Sequence, residues 1–535
     1  NANLENADLT DANLTNAKLN RADLHNANLT DANLTSANLD RAYLDGANLT
    51  EASLANAILF DANLENADLS GANLINASLH NASLTNAILT GANLTNALLW
   101  ATDLTGANLT GANLRNAKLE NVNLTGISSG DIHGTPSVLP GNWQLTQGYL
   151  IGPRANLTGA NLIDANLWHA NLAGADLNNA DLNDANLTGA DLTGADLVRV
   201  NLIDANLDSA DLTGANLTDA ILTGVRSGGI NGSPDALPGN WQLRKGYLIG
   251  PRANLTNANL EAADLANASL TNANLTGANL TNANLRRAYL ENVDLTGAQL
   301  TGISSGDLRG FPNALPANWQ LTHGYLIGPA ANLTNADLTE AKVWQANLTN
   351  ANLTGANLGG ADLTGVNLAN AILAGAVLSG ASMSDVLLAG ADLAGVISGG
   401  INDFPHALPT NWQLRQGYLI GPEANLYEAD LMQADLAGAE LADARLVRAN
   451  LTDSDLNDAN LTGADLTGAD LTGAWLVSVS LADANLTGAD LVRAHLDGAN
   501  LAGANLADVD LAGAYLAGVS SGGNNGIPSA LPTNW

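Results

Sequence analysis

The sequence predicts an all-β solenoid in which each coil is assembled from five-residue segments. Leu recurs every fifth residue, Ala stands two places before nearly every one of these Leu residues, and turn-forming residues follow it. Leu4 to Leu124 alone contains 25 such pentads without a slip, and five blocks together contain 81. On a helix this period would step successive Leu side chains round by about 140°, and in a flat strand they would alternate between faces. The chain must therefore turn once in each pentad, with Leu pointing inward.

Each position of the pentad has a physical role, as in Ala27-Asn28-Leu29-Thr30. Leu fills a narrow interior, and only a small residue such as Ala can share that space. Asn or Asp before the Leu faces water. The two residues after it form the corner, commonly as Thr-Gly, Thr-Asn or Thr-Asp, because Gly, Asn and Asp tolerate turn geometry. Outward Asn amides at about 4.8 Å spacing are expected to hydrogen-bond along the stack, whereas stacked Asp would repel.

A second repeat separates the blocks. The last Leu of one block and the first Leu of the next have the same separation in all four cases, as from Leu124 to Leu157. All 14 prolines fall in these four linkers or in a truncated fifth one at the end of the chain. Proline removes a ladder donor, so its absence from the blocks fits strands. Each linker begins by replacing the core Leu with Ser and continues as Leu-Pro-x-Asn-Trp-Gln-Leu-x-x-Gly-Tyr-Leu-Ile-Gly-Pro. We expect Trp143-Gln144-Leu145 and Gly148-Tyr149-Leu150 to be two re-entry sides of the coil, with the larger part of the linker looped outside it.

This pattern divides one continuous solenoid into alternating blocks and linkers. The predicted blocks are 1–125, 155–223, 253–301, 331–394 and 424–517. The predicted first to fifth linkers are 126–154, 224–252, 302–330, 395–423 and the truncated 518–535. Because both ends lack the polar caps that solenoids need, we expect a segment of a longer polypeptide; ends covered by neighbouring copies are the alternative.

The repeated Ala-[Asn/Asp]-Leu-x-x unit resembles the pentapeptide repeat family over some four-fifths of the chain. The resemblance implies a right-handed, quadrilateral (four-sided) β-helix with four pentapeptides per coil. Two re-entry sides per complete linker would give 89 sides, or about 22 coils interrupted by looped linkers, spanning roughly 105 Å. On four-sided coils, three loops would leave one face, the fourth would be rotated by one face and the fifth would return; their Trp residues are, in order, Trp143, Trp241, Trp319, Trp412 and Trp535.

Composition excludes several functions. The chain has 535 residues, a net charge of −33 and no Cys, so thiol nucleophiles, disulfides and Cys-based metal sites are absent. No apolar run approaches the roughly 20 residues of a membrane span, and the acidic excess argues against direct binding of nucleic acid. The seven His residues show no ligand spacing, and Asp follows the pentad rather than a calcium loop. We therefore expect a non-enzymatic protein without a cofactor or metal.

The linker aromatics are the candidate site residues. Two interpretations remain open: contacts to a glycan or protein partner, or shielding of the core where the coil is interrupted. The second is favoured because these residues belong to a repeated scaffold. They are Trp143, Trp241, Trp319, Trp412, Trp535, Tyr149, Tyr247, Tyr325 and Tyr418.

Two functions from different classes fit these features. The first is a structural or interaction rod, a segment of a surface or extracellular fibre or an assembly scaffold, with protein or glycan partners or self-association. The second, which the family resemblance implies, is a DNA-mimicking regulator of DNA gyrase. The charge density of one per ~3.2 Å is about half that of duplex DNA, which disfavours the mimic. We expect an extracellular or cell-surface location, with the cytoplasm as the alternative.

Overall fold

A computed structural model describes residues 2–533 and residue 535. The chain forms two compact units. One extends to Ala258 and includes Ala268–Asn274; the other comprises Asn259–Asn267 and Leu275–Trp535. In both units the described pentads are strings of single parallel bridges joined by turns, and extended strands occur only in the linkers.

The residue before each core Leu carries the bridge. Asn3 pairs with Asp23 and Asp23 with Tyr43, always in parallel and always four pentads further along the chain. The Leu4 N–H donates to the carbonyl of Asp23 at 2.7 Å, while Ala7 N–H closes a turn onto the Leu4 carbonyl at 3.0 Å. The prediction that the chain turns once in each pentad is therefore confirmed.

The corner residues explain the choice of Asn and Gly. The second residue after Leu is in the left-handed region, with φ of 53° at Asn6 and 67° at Gly46, where Gly has no penalty and Asn a small one. Corner side chains also bond to one another: the amides of four Asn residues form a ladder with distances of 3.1, 3.0 and 3.3 Å. These residues are Asn56, Asn76, Asn96 and Asn116. The expected amide ladder is present.

The interior is the predicted column of Leu and Ala. Side chains such as Leu24 and Ala27 are fully buried. Clusters of such buried residues extend from Leu19 to Leu248 in the first unit and over 327–419 and 420–516 in the second. A buried Leu contributes roughly 1.5–3 kcal/mol, so repetition of this small core is the main source of stability.

Each complete linker contains a two-stranded antiparallel β-hairpin. In the first, Leu145 lies opposite Leu150. The strands are β1 (Gln144–Thr146), β2 (Tyr149–Ile151), β3 (Gln242–Arg244), β4 (Tyr247–Ile249), β5 (Gln320–Thr322), β6 (Tyr325–Ile327), β7 (Gln413–Arg415) and β8 (Tyr418–Ile420). The prediction that Trp143-Gln144-Leu145 and Gly148-Tyr149-Leu150 are two sides of the coil is therefore wrong, because the two segments pair with each other.

The series of parallel bridges between successive coils, called the ladder below, continues through the linkers. In the first linker, Ser128, His133 and Val138 bridge residues four pentads earlier, as an ordinary block does. Asn156 then bridges Ser128. The sequence separation of this pair exceeds four pentads by the length of the hairpin from Gln144 to Ile151. The insertion is therefore the eight-residue hairpin alone, and the predicted longer loop outside the coil is wrong. The same lengthened step recurs at Arg226–Asn254, Ser304–Asn332 and Ile397–Asn425.

This shorter insertion corrects the predicted placement of the first two hairpins. Within the first unit, one column of bridges connects Ser128 through Asn156 to Ala236. Ser128 is the first bridging residue of the first linker, whereas Ala236 is the third bridging residue of the second linker. The hairpins that follow Val138 and Ala236 thus leave the ladder two pentads apart, and not at one place as predicted. This difference from the prediction arises because two pentads of each linker that were assigned to the outside loop are part of the ladder.

The placement of the later linkers in the second unit agrees with the prediction. The bridge columns put Ala407 of the fourth linker one pentad beyond Ala314 of the third. The same columns place Ala530 of the fifth linker one pentad before the position of Ala407, and therefore in line with Ala314. Counted in pentads along the ladder, the shift of the fourth linker and the return of the fifth to the position of the third agree with the prediction within this unit.

Candidate functional site

The Ser that replaces Leu at the start of each linker is a hydrogen-bond acceptor for the hairpin. Its hydroxyl oxygen accepts the backbone N–H of the central Leu of the second hairpin strand at 2.9 Å in all four linkers. Ser227 and Ser305 are each only 3% exposed, so without this hydroxyl the N–H would be left unsatisfied in the interior. The pairs are Ser129–Leu150, Ser227–Leu248, Ser305–Leu326 and Ser398–Leu419. The loss of Leu was visible in the sequence, but its role was not.

The linker Tyr completes the ladder above the hairpin. In an ordinary pentad, the N–H of Asp181 donates to the carbonyl of Ala160 in the neighbouring coil. Beside the first hairpin, the corresponding N–H of Asn161 donates instead to the Tyr149 hydroxyl at 3.1 Å. The third and fourth hairpins repeat this contact, with Asp337 donating to Tyr325 and Asp430 to Tyr418, both at 3.1 Å.

The linker Trp packs against the Gly of the Leu-Ile-Gly-Pro segment. A Cβ on Gly152 would clash with the Trp143 indole, and the same holds for the Trp of each later complete linker. The Trp143 N–H also donates to the Pro140 carbonyl at 2.9 Å. All four of these Trp residues and the four linker Tyr residues are partly buried, whereas Trp535 is 68% exposed. This geometry agrees with shielding, and partner contact by the same residues stays a prediction.

Exposed aromatic stacks lie outside the linkers. Trp475, His495 and Tyr515 stack nearly parallel, with ring centroids 4.1 and 4.4 Å apart. Phe60, His80 and Trp100 form a looser column at 6.5 and 6.4 Å. Sequence reasoning missed both, although the four-pentad spacing of their members could have identified them.

The acidic groups of the blocks bond locally. The carboxylates of five Asp residues accept the hydroxyl and the backbone N–H of the Thr two positions later, and chiefly the hydroxyl holds the pKa of each below its ordinary value. These are Asp8, Asp211, Asp294, Asp337 and Asp362. Such carboxylates are stabilised as anions and poorly suited to accept protons in catalysis.

Among the residues that the structure describes, no three His, Asp or Glu side chains converge as a metal site would require. The same residues include no helix of the length and apolarity needed to cross a membrane.

Comparison with known proteins identifies the family. A family profile described as Pentapeptide repeats (8 copies) matches residues 1–126, 155–224, 253–304, 331–397 and 423–518, taking overlapping matches together. The chain belongs to the pentapeptide repeat family, whose solenoid of five-residue units accounts for the pentads. The search of curated proteins found no match.

Several solved structures are similar to this chain. HetL of the cyanobacterium Nostoc sp. strain PCC 7120, a pentapeptide repeat protein involved in heterocyst differentiation regulation, is 27% identical, with 58% of this chain and 86% of HetL covered and a TM-score of 0.18. Rfr23 of Cyanothece 51142 is 22% identical over 29% of this chain and 91% of its own, with a TM-score of 0.16. QnrB1, a plasmid-mediated fluoroquinolone resistance protein, is 16% identical over 42% and 88%, with a TM-score of 0.15.

Proposed function

We propose that the chain is a non-enzymatic structural or interaction element, a segment of a long surface or extracellular fibre or of an assembly scaffold. The observation that carries the proposal is the continuity of the backbone ladder, which passes each complete linker with only the hairpin inserted and then resumes its four-pentad spacing. Within each compact unit, a ladder that keeps its register through insertions presents its outward side chains at regular intervals. Such a surface suits repeated contacts with partners or with further copies.

We also propose that each coil is a four-sided, right-handed turn of β-helix. Bridges spaced by four pentads and membership of the family support this geometry. Once the hairpin is subtracted, five pentads separate the last Leu of one block from the first Leu of the next, so each complete linker contributes four sides instead of two. The three ladder positions of the fifth linker are added. The proposed number of coils therefore rises from about 22 to about 25. A crystal structure with three or five pentads per coil would overturn the geometry.

Fractionation of the producing cells combined with electron microscopy tests the fibre role. We expect the protein on the cell surface or outside the cell, in filaments or ordered assemblies that an antibody to the chain decorates. A diffuse cytoplasmic distribution without assemblies would contradict the proposal. A supercoiling assay provides the rival outcome: strong inhibition of DNA gyrase by the purified chain would support a DNA-mimicking regulator instead.

A further inference from the structure

Two linkers contain the same polar cleft beside their hairpins. In the second linker the cleft has a volume of about 610 Å³, and in the third about 460 Å³. The two clefts are lined by residues at equivalent linker positions. Ser227 and Tyr247 of the second linker correspond to Ser305 and Tyr325 of the third. The clefts are thus two copies of one site, one in each compact unit, and both have the size of a small-molecule pocket.

The backbone keeps each cleft open. One wall is a Gly that faces the Tyr ring: a Cβ on Gly306 would stand 3.0 Å from Cε1 of Tyr325, and one on Gly228 would stand 3.2 Å from Cε1 of Tyr247. A larger residue at either Gly would press on the ring and narrow the cleft.

Each cleft holds a guanidinium group beside a carboxylate. Arg226 Nε lies 2.9 Å from Asp208 Oδ2 in the second linker, and Arg287 Nε lies 3.6 Å from Asp307 Oδ2 in the third. The two pairs occupy different positions of the shared cleft, because the third-linker equivalents of Asp208 and Arg226 are Arg286 and Ser304. The linker supplies Arg226 in one site and Asp307 in the other. In both sites the Arg side chain is 64% exposed and accessible to a ligand.

The other complete linkers lack this pair although they share the hairpin. The positions equivalent to Asp208 and Arg226 are Thr110 and Ser128 in the first linker. The positions equivalent to Arg287 and Asp307 are Gly380 and Gly400 in the fourth linker. The ion pair is therefore not needed to build a linker.

We propose that each of these two clefts binds a sugar unit of a neutral glycan. A guanidinium beside a carboxylate offers donors and acceptors to neighbouring hydroxyl groups, and the Tyr ring offers an apolar surface to the sugar C–H groups. An anion is a poorer fit because the Arg that lines each cleft already has a carboxylate partner and the chain carries a net charge of −33. The third linker also places Arg286 at its cleft, so anionic ligands are included as a rival in the test.

Titration calorimetry on the full chain tests this proposal, with cellohexaose, mannohexaose and xylohexaose as neutral probes and inorganic phosphate and polygalacturonate as anionic ones. We expect one neutral hexaose to bind at two sites per chain. Arg226→Ala and Arg287→Ala should each reduce the number to one, and the double variant should weaken binding at least tenfold. Asp208→Asn, which preserves side-chain shape, should also weaken the site in the second linker. Arg199→Ala, an exposed corner residue outside both clefts, is the matched control and should bind at two sites.

Circular dichroism melts establish that every variant is folded. The proposal is overturned if none of the three neutral probes binds, if the double variant binds as well as the native chain, or if only phosphate or polygalacturonate binds. Glycan binding and the fibre role are separable, because the clefts can bind sugar in a chain that forms no filament, and filaments can form when the clefts are empty.

Discussion

The pentad blocks and the linker hairpins satisfy the same backbone by different means. In a block, each coil bonds to a near-copy of itself, as when Asp181 N–H meets the Ala160 carbonyl. At a hairpin, side chains take over: a Ser hydroxyl accepts one N–H and a Tyr hydroxyl accepts another. The ladder therefore requires an acceptor at each position, and it does not require that acceptor to come from the preceding coil. A hairpin can be inserted because the Tyr hydroxyl replaces a ladder carbonyl and the Ser hydroxyl accepts an N–H of the hairpin itself.

This difference predicts where each region is sensitive. A block depends on many equivalent Leu residues that fill a shared core. A hairpin depends on a few residues with individual roles, and these recur unchanged in all four complete linkers. Single substitutions should therefore destabilise the two regions by different amounts.

Truncation of a core Leu should have the largest effect, and a larger one in a block than in a hairpin. Leu192 is fully buried, so Leu192→Ala should cost about 2–5 kcal/mol. Leu145 is only partly buried, and Leu145→Ala should cost clearly less. Hydrogen exchange is the appropriate measurement, because solenoids unfold locally. Equal losses of protection around the two sites would contradict the contrast.

Removal of the linker Ser hydroxyl should have the next largest effect. Ser227→Ala leaves the N–H of Leu248 without an acceptor in the interior, at a cost of about 1–3 kcal/mol. Ser454 provides the matched control, because it is also buried but occupies the usual Ala position of a pentad. Ser454→Ala should be close to neutral, since its hydroxyl only donates to the Leu451 carbonyl. Denaturant melts and exchange at Leu248 compare the two; equal destabilisation would exclude the proposed role of Ser227.

The sequence was sufficient for the blocks because one physical rule applies at every pentad. Leu and Ala inside and Gly or Asn at the corner follow from size and backbone conformation alone, and the structure has them there. The hairpins could not be predicted in the same way. Gln144-Leu145 and Tyr149-Leu150 continue the apparent five-residue period, so periodicity assigned them to the coil. In the structure they pair with each other and form hydrogen bonds to Ser129 and Asn161, which lie in other parts of the sequence.

The candidate residues show the same limit. The repetition of Trp and Tyr distinguished the linkers from the blocks, and the partly buried positions of Trp143 and Tyr149 are consistent with the favoured shielding role. The clefts were not visible in the sequence, because Asp208 and Arg226 lie in different coils and come together only when those coils stack.

Loss of the Tyr hydroxyl should have a smaller effect than loss of the Ser hydroxyl. Tyr325→Phe preserves the ring that faces Gly306 and removes only the acceptor for Asp337 N–H, which lies near the surface. We expect a cost of about 0.5–1.5 kcal/mol, with faster exchange of the Asp337 amide as the diagnostic measurement. Tyr43→Phe, at a residue that is 55% exposed in a block, is the control and should be neutral. Unchanged exchange at Asp337 would show that the hydroxyl does not complete the ladder.

The smallest effect should come from the local hydrogen bonds of the blocks, and it should depend on pH. The Thr213 hydroxyl donates to Asp211 at 2.6 Å and lowers the pKa of that carboxyl. Thr213→Val should therefore raise this pKa, as measured by carbonyl ¹³C NMR, and cost less than about 1 kcal/mol because the bond is exposed. A lowered pKa stabilises the fold at pH values above the ordinary Asp pKa, and this contribution is lost as the pH falls through the lowered value.

The neighbouring block pair Thr188 and Asn186 separates hydrogen bonding from ionisation. The Thr188 hydroxyl donates to Asn186 at 2.7 Å in the same geometry, but Asn does not titrate. The cost of Thr188→Val should thus be the same at neutral and acidic pH, whereas the cost of Thr213→Val should shrink in acid. If both costs have the same pH profile, the Thr hydroxyl does not act on the Asp charge. The blocks would then gain nothing electrostatic from choosing Asp over Asn, and the two residues would be interchangeable members of one ladder.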